Sequence, residues 1–316
     1  MSRLVSTLAL LFSACGCAGV VAQTPGMHGV SSPQRATVAI DGTDREYFVQ
    51  APPRPASQRP VVFVLHGGTR SAEDIFSRSS WPQVAARSGA LLIVPNAIGG
   101  NWNDGRTTYL GNSNPSNVDD VGFLRRLVAI AVRDHGADPQ RVYFTGASNG
   151  GNMSWRMACE AGELVTAIAP VISTMPANPE RTCSGARPTP VVAFFGTDDP
   201  LMRYDGAAFT MRGRTSEARS SAADSTAFWA RVNGCSARTR EDQLPDIVRR
   251  DQTRVVRVAY EGCPRARDVV RYDVIGGGHN APGSEVPRLF GRLLGKGNQD
   301  IDSVEIAWQF FQRESR

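Results

Sequence analysis

The chain has 316 residues, of which 41% are hydrophobic and 21% are charged. This composition is typical of a globular protein and excludes wholesale disorder, a collagen-like repeat and a coiled coil. The formal net charge is +5, and nearly all of the positive charge is carried by arginine, because Lys296 is the only lysine. The arginines are scattered rather than arranged in a stripe with aromatic residues, so no nucleic-acid partner is expected.

The N-terminal segment predicts export. Residues 1–22 hold one charge, Arg3, and an apolar run from Leu4 to Ala14 that is too short to span a bilayer. Small residues ending at Ala22 form a cleavage site, so residues 1–22 are expected to be a signal peptide and residues 23–34 a polar tail. The alternative is a lipid anchor on Cys15. No later segment is apolar enough for a membrane span, and we expect a secreted or periplasmic protein without membrane contact after cleavage.

Residues 35–316 predict one α/β domain. In the first half, apolar or alternating runs predict strands at 36–40, 45–50, 61–65 and 91–94. Helices are expected at about 72–87 and from Asp119 or Asp120 to Gly136, with a long polar loop at 99–118 between them.

The second half continues the alternation of strands and helices. Strands are predicted at 142–145, 166–172, 191–195, 254–260 and 269–275, and helices at 148–160, 222–232 and near the C-terminus. This alternation is typical of a mainly parallel sheet with helices on both faces. No linker to a second domain is present in the pattern.

The strongest chemical signal is the run Gly146-Ala147-Ser148-Asn149-Gly150-Gly151. It follows an apolar strand and opens a helix, which is the context of a nucleophile elbow, a sharp turn that exposes a serine above the sheet edge. The helix N-terminus adds positive potential where an oxyanion would form. Ser148 is therefore the candidate nucleophile.

A serine nucleophile needs a base, and His279 is the candidate. It is the only histidine that follows the last predicted strand, in the loop Gly276-Gly277-Gly278-His279. The order serine, acid, histidine is that of α/β-hydrolases, so the acid should lie between Ser148 and His279 at a strand end. Asp198 and Asp199 both follow the strand 191–195, and spacing does not choose between them.

The stretch His66-Gly67-Gly68 predicts the second half of an oxyanion hole. Its donors would be the backbone N–H groups of Gly68 and Asn149. His66 is expected to orient this loop rather than to react. The histidine and cysteine spacings give no metal-binding pattern, and the chemistry needs no cofactor.

Removal of the signal peptide leaves four cysteines, which in an exported chain imply two disulfides. Three pairings are possible. The local pairing, Cys159 with Cys183 and Cys235 with Cys263, is the one we favour.

Together these motifs resemble those of the exported polyhydroxybutyrate depolymerases and feruloyl esterases, a group of α/β-hydrolases also known as carbohydrate esterase family 1. The resemblance covers roughly residues 35–311. It implies that Asp199 is the acid, because the family pattern places the acid directly before a proline. The matching stretches are Leu65 to Gly68, Asn101 to Arg106, Val118 to Phe123, Arg141 to Gly151, Gly196 to Pro200 and Gly276 to Gly283.

The residues around the expected substrate pocket depart from the family at one point. The family usually carries His-Thr-Trp-Pro-Gly, whereas this chain has His279-Asn280-Ala281-Pro282-Gly283. Ala281 therefore replaces an aromatic wall beside the histidine, which weakens any inherited preference for aromatic acyl groups. Trp102 is expected to shape the pocket rim; the alternative is a structural tryptophan packed under the loop.

The sequence as a whole predicts an exported serine carboxylic-ester hydrolase that works through an acyl-enzyme. Its expected substrates are small esters, feruloyl esters or hydroxyalkanoate oligomers. The alternatives are an exported serine peptidase on the same fold and a non-catalytic polymer-binding protein.

Overall fold

The computed structural model describes residues 31–52, 57–106, 117–211, 213–285, 291 and 293–314. The expected signal peptide, with Cys15, lies outside the described residues, and so do residues 107–116 of the long polar loop.

One mixed sheet of ten strands organises the described chain, and a separate two-stranded hairpin, β8 with β9, accompanies it. The order in the large sheet is β1-β2-β4-β3-β5-β6-β7-β12-β11-β10. The strands are β1 (Gln34–Ile40), β2 (Thr43–Gln50), β3 (Arg59–Leu65), β4 (Leu91–Pro95), β5 (Ala137–Ala147), β6 (Ala167–Val171), β7 (Val191–Gly196), β8 (Thr210–Met211), β9 (Arg214–Thr215), β10 (Thr239–Gln243), β11 (Arg254–Tyr260) and β12 (Val269–Ile275).

The centre of the large sheet is parallel and its two edges are antiparallel. Strands β4, β3, β5, β6, β7 and β12 pair in parallel, whereas β1 and β2 at one edge and β11 and β10 at the other pair antiparallel. Parallel strands covered on both faces require apolar side chains at successive positions. Residues 61–65 and 91–95 meet this requirement, because every one of them is buried.

Helices cover both faces of the sheet. Those on one face pack into a core that contains Trp155 and Trp229, and those on the other into a core that contains Trp81 and Trp308. The helices are α1 (Ala72–Arg78), α2 (Trp81–Ser88), α3 (Asp120–His135), α4 (Asn149–Glu160), α5 (Pro179–Thr182), α6 (Ala222–Asn233) and α7 (Ser303–Phe311).

The single helix expected at 72–87 is wrong, because the structure has two helices there. Helix α1 ends at Arg78, and α2 starts at Trp81 with Pro82 in its first turn. Proline has no N–H to donate and its ring obstructs the preceding turn, so it is tolerated in a first turn but not in a helix interior. The hydroxyl of Ser79 accepts the N–H of Trp81 at 3.2 Å and supports the break.

Two disulfides join segments that the sheet does not connect. One links Cys159, near the end of α4, to Cys183, directly after α5; the other links Cys235, which follows α6, to Cys263, which follows β11. These are the local pairs favoured from the sequence. Among the helices in the described part of the chain, none is both long and apolar enough to cross a membrane.

Candidate active site

Ser148 occupies the turn between strand β5 and helix α4. Its backbone angles, φ 57° and ψ −119°, lie in a region that residues with a side chain rarely adopt. The surroundings hold this conformation, because the N–H of Ser148 donates to the carbonyl of Val171 at 2.9 Å and its carbonyl accepts from Asn152 at 2.8 Å. Such strain persists only where neighbouring structure enforces it, and it is common at catalytic residues. The turn leaves Ser148 partly exposed.

The glycines around Ser148 are required by close approach of the backbone. A Cβ atom at Gly150 would lie 2.1 Å from the carbonyl oxygen of Leu65, and one at Gly146 would lie 2.5 Å from the same oxygen. Both distances are far below van der Waals contact. Helix α4 can therefore start directly against the end of strand β3 only with glycine at these positions, which explains the Gly-x-Ser-x-Gly pattern.

His279 and Asp199 form a buried pair. The Nδ1 atom of His279 lies 2.7 Å from Oδ2 of Asp199, and the two side chains are 8% and 1% exposed. The other carboxylate oxygen accepts the N–H groups of Leu201 and Met202, each at 2.8 Å. Because Nδ1 donates to the carboxylate, Nε2 of the neutral ring is the nitrogen that can accept a proton. Asp198 is exposed.

Parallel strands bring the serine, the acid and the histidine to one edge of the sheet. Ser148 follows β5, Asp199 follows β7 and His279 follows β12, and these strands run in the same direction. Within the described residues, Ser148 Oγ makes no hydrogen bond to the His279 ring. Catalytic hydrogen bonds are often long without substrate and tighten in the complex, so this arrangement is compatible with a serine–histidine pair.

The loop after β3 lies against the Ser148 turn. A Cβ atom built at Gly67 would lie 3.9 Å from the Cβ of Ser148, and one at Gly68 would lie 3.7 Å from the Cβ of Asn149. Neither the N–H of Gly68 nor that of Asn149 has an acceptor among the described residues. Two unpaired N–H donors next to a candidate nucleophile can stabilise a negatively charged oxygen.

His66 holds the loop that carries Gly68. Its Nδ1 donates to the carbonyl of Gly67 at 2.8 Å, and its Nε2 accepts the N–H of Ala97 at 3.0 Å. Burial lowers the pKa of His66, which keeps the ring neutral in this arrangement. Both ring nitrogens are therefore engaged in holding the backbone, in agreement with the orienting role expected from the sequence.

The expectation that Trp102 shapes the pocket rim is wrong. Trp102 is completely buried, and its indole N–H donates to the carbonyl of His66 at 3.0 Å. The N–H of a buried tryptophan usually finds a hydrogen-bond partner, and here the partner lies in the loop beside the candidate nucleophile. Trp102 is thus a structural support beneath the site, which was the alternative left open above.

Ala281 follows His279 by two residues in the sequence. It is half-buried and packs against the core that α7 covers. The side chain of Ser284 donates to its carbonyl at 2.6 Å and closes a tight turn after His279. Among the described residues, no cluster of histidine, cysteine or acidic side chains is suited to hold a metal ion.

A buried polar cluster under Asn149 was missed by sequence reasoning. Asp104 is completely buried, and its carboxylate accepts from the side-chain amides of Asn149 at 2.8 Å and Asn152 at 2.9 Å. Burial alone would raise the pKa of Asp104, but the charge and hydrogen bonds of Arg106, with Arg219 and Asn152, hold it below its usual value. The available signal was the Asn101 to Arg106 stretch, to which the sequence analysis assigned no chemical role beyond Trp102.

The chain is similar in sequence to several proteins that are named as esterases. No family model matches the chain. Feruloyl esterase D from Neurospora crassa is 26% identical over 334 residues, which cover 99% of this chain and 98% of that protein. A poly(3-hydroxybutyrate) depolymerase from Ralstonia pickettii is 31% identical over 125 residues, which cover 37% of this chain and 26% of that protein.

A solved structure supports the fold. The acetyl xylan esterase from Aspergillus awamori superposes with a TM-score of 0.58 over 83% of this chain and 98% of that one, at 15% sequence identity. The sheet order, the helices on both faces and this likeness show that the protein has the α/β-hydrolase fold. In sequence it is similar to feruloyl esterases and to a polyhydroxybutyrate depolymerase, and this similarity supports a carboxylic ester hydrolase.

Proposed function

We propose that this ester hydrolase works by covalent catalysis, with Ser148 as nucleophile, His279 as general base and Asp199 as the acid that orients it. The observation that carries the proposal is the buried hydrogen bond between His279 and Asp199, at the sheet edge where the strained turn presents Ser148. In such a triad the carboxylate holds the imidazole in the required tautomer and stabilises the imidazolium that forms.

The first half of the reaction forms an acyl-enzyme. Ser148 Oγ attacks the carbonyl carbon of the ester while its proton passes to Nε2 of His279. The carbonyl oxygen becomes an oxyanion, which accepts hydrogen bonds from the N–H groups of Gly68 and Asn149. When the intermediate collapses, the bond to the alcohol breaks and the alcohol leaves with the proton from His279.

The second half of the reaction releases the carboxylic acid product. Water donates a proton to Nε2 of His279 and attacks the acyl carbon, and the oxyanion forms again in the same place. Collapse then breaks the bond to Ser148 Oγ, which recovers its proton from His279. Removal of one oxyanion donor typically lowers kcat by about 10²–10³-fold, so both N–H groups contribute substantially.

The proposed substrates are small esters, feruloyl esters or hydroxyalkanoate oligomers. The activities named for the Neurospora and Ralstonia relatives support these classes.

Two disulfides support export, because such bonds persist in oxidising compartments. We therefore propose a secreted or periplasmic enzyme whose chain is cleaved after Ala22, and intact-mass analysis of the exported form tests this. A diacylglyceryl group on Cys15 would contradict it.

The mechanism is tested by labelling and by activity. An alkyl fluorophosphonate should modify the wild-type protein once, and peptide mapping should locate the label on Ser148. Ser148→Ala and His279→Ala should each retain only the ~10³–10⁴-fold advantage over water that binding and the oxyanion hole supply, and their losses should not add. Full activity in Ser148→Ala would overturn the proposal.

A substrate panel separates the classes of reaction. Methyl ferulate, p-nitrophenyl esters and hydroxybutyrate oligomers should be hydrolysed, and a peptide anilide should not. Preferential cleavage of the anilide would instead indicate a serine peptidase on the same fold.

A further inference from the structure

We propose that Asp104 is a positioning residue for the oxyanion hole, in that it fixes the side chain of Asn149 and thereby aims the Asn149 N–H. The inference rests on the proposed serine mechanism, in which that N–H binds the oxyanion. It assigns a role to a buried ionised side chain that the mechanism itself does not use.

The first argument is that three hydrogen bonds hold the side-chain amide of Asn149. Its Oδ1 accepts the N–H of Trp102 at 2.7 Å, and its Nδ2 donates to the carbonyl of Trp102 at 3.0 Å and to Asp104 at 2.8 Å. Asn149 itself is 2% exposed. All three bonds come from one short loop, so the loop fixes both ends of the side-chain amide and with them the Cα atom to which the backbone nitrogen of the N–H is bonded.

The second argument is the charge state of Asp104. Its Oδ2 accepts two amide donors, from Asn149 and Asn152, while its Oδ1 accepts Nε of Arg106 at 2.9 Å. Only a carboxylate offers acceptors in all these directions, because an amide at this place would set an N–H₂ group against another donor. Bonds to an ionised acceptor are also shorter and stronger than neutral ones.

The third argument is that the same loop contacts the other half of the oxyanion hole. The indole of Trp102 holds the carbonyl of His66, and Oδ1 of Asn101 lies 2.8 Å from the place where a Cβ at Gly68 would be. The stretch 101–104 therefore touches the segments that carry both N–H donors. It fixes the distance between them, and donors are effective only at about 2.7–3.1 Å from the oxyanion.

Asp120 provides a matched control for an experiment. It is also a completely buried aspartate paired with an arginine, since Arg45 lies 2.5 Å away, and it accepts the N–H of Asn103 at 2.7 Å. It therefore supports the same loop, but among the hydrogen bonds of the described residues none joins it to Asn149. A generic loss of stability should affect variants of both aspartates, whereas a loss of positioning should affect Asp104 alone.

The test compares Asp104→Asn with Asp120→Asn in the full mature chain. With p-nitrophenyl butyrate, Asp104→Asn should lower kcat by about 10- to 100-fold and leave KM within about threefold, because the lost interaction acts in the transition state. The Ki of an alkyl trifluoromethyl ketone, whose adduct carries an oxyanion, should rise by a similar factor. Asp120→Asn should lower Tm with little change in kcat or in this Ki.

A second variant decides the outcome if Asp104→Asn does not fold. Asn149→Ala keeps the N–H but removes the clamped amide, so it should show the same fall in kcat, and where both variants fold the double variant should lose little more. Unchanged kcat and ketone Ki in a folded Asp104→Asn, or in Asn149→Ala, would overturn the positioning role. Activity in Ser148→Ala would instead overturn the proposed function, so the two failures are distinguishable.

Discussion

Two neighbouring aspartates, Asp198 and Asp199, have opposite surroundings although they follow the same strand. Asp198 is exposed, and among the described residues its carboxylate accepts only the hydroxyl of its neighbour Thr197, at 3.1 Å. Asp199 turns inward, where two backbone N–H groups and His279 engage its carboxylate. The difference arises because Asp199 begins the turn through Pro200 that directs the N–H groups of Leu201 and Met202 back towards it. Spacing along the sequence does not contain this information.

These surroundings predict unequal effects of two conservative substitutions. Asp199→Asn should lower kcat towards p-nitrophenyl butyrate by up to about 10⁴-fold, because an amide cannot hold the imidazole in the required tautomer. Asp198→Asn is the matched control and should keep nearly all of the activity. Steady-state kinetics of both variants, with Tm measured in parallel, checks this. If Asp198→Asn proved the more damaging change, the acid would be wrongly assigned.

The residue at position 281, Ala281, is expected to influence which acyl groups the enzyme prefers. An aromatic ring there would stack on a planar acyl group, which is worth about 0.5–1.5 kcal/mol beyond area burial. Ala281→Trp should therefore raise the ratio of kcat/KM for methyl ferulate to that for p-nitrophenyl butyrate, by a few-fold to about 10-fold. Glu285→Trp, at an exposed position nearby, is the control. An unchanged ratio in a folded Ala281→Trp variant would mean that this side chain does not face the acyl group.

At the scale of elements, the sequence predicted best the strands that are rich in apolar side chains. The predicted limits of the strands at 254–260 and 269–275 are confirmed, and those at 61–65 and 91–94 fall within two residues. Strand β10, with sequence Thr-Arg-Glu-Asp-Gln, was missed because it lies at the exposed edge of the sheet and has no apolar side. Hydrophobic periodicity reflects the burial of side chains, so a strand at an exposed sheet edge cannot be predicted from it.

The disulfides connect elements and should contribute to stability rather than to chemistry. Each closes a similar span, with sequence separations of 24 and 28 residues. Chain-entropy arguments assign about 3 kcal/mol to a closed loop of this size. We therefore expect Cys159→Ser/Cys183→Ser and Cys235→Ser/Cys263→Ser to lower the free energy of unfolding by similar amounts, measured by urea denaturation. Neither double variant should change kcat at 25 °C, and a large selective loss in one of them would show that its disulfide shapes the site.

Considered as a whole, the molecule assembles its site from segments distant in sequence. The sequence predicted Ser148, His279 and Gly68 as candidate site residues because each follows a recognisable strand and lies in a local motif. The buried Trp102 and the hydrogen bonds made by Asp104 depend on contacts between distant residues, such as Trp102 with His66, 36 residues apart, and Asp104 with Asn149, 45 residues apart. Local sequence patterns do not predict contacts between distant residues, so these roles could be inferred only from the folded structure.

Glu314, the last residue that the structure describes, is hydrogen-bonded to a strand at the centre of the sheet. The hydroxyl of Tyr143, on β5, donates to the backbone carbonyl of Glu314 at 2.5 Å. The Glu314 side chain is buried there, and its Oε2 has no hydrogen-bond partner among the described residues. Burial, together with the nearby charge of Asp268, raises the pKa of Glu314 to about 7.

This raised pKa predicts a dependence of global stability on pH. Below the ordinary glutamate pKa of about 4.5, Glu314 is protonated in both the folded and unfolded chains and makes no difference. As pH rises from there to about 7, the unfolded chain releases the proton that the folded chain keeps, so the free energy of unfolding falls. Glu314→Gln, which stays neutral, should therefore raise Tm by a few degrees at pH 8 and change it little at pH 4. Glu285→Gln, at an exposed position, should be neutral at both pH values, and equal effects of Glu314→Gln at pH 4 and pH 8 would contradict the prediction.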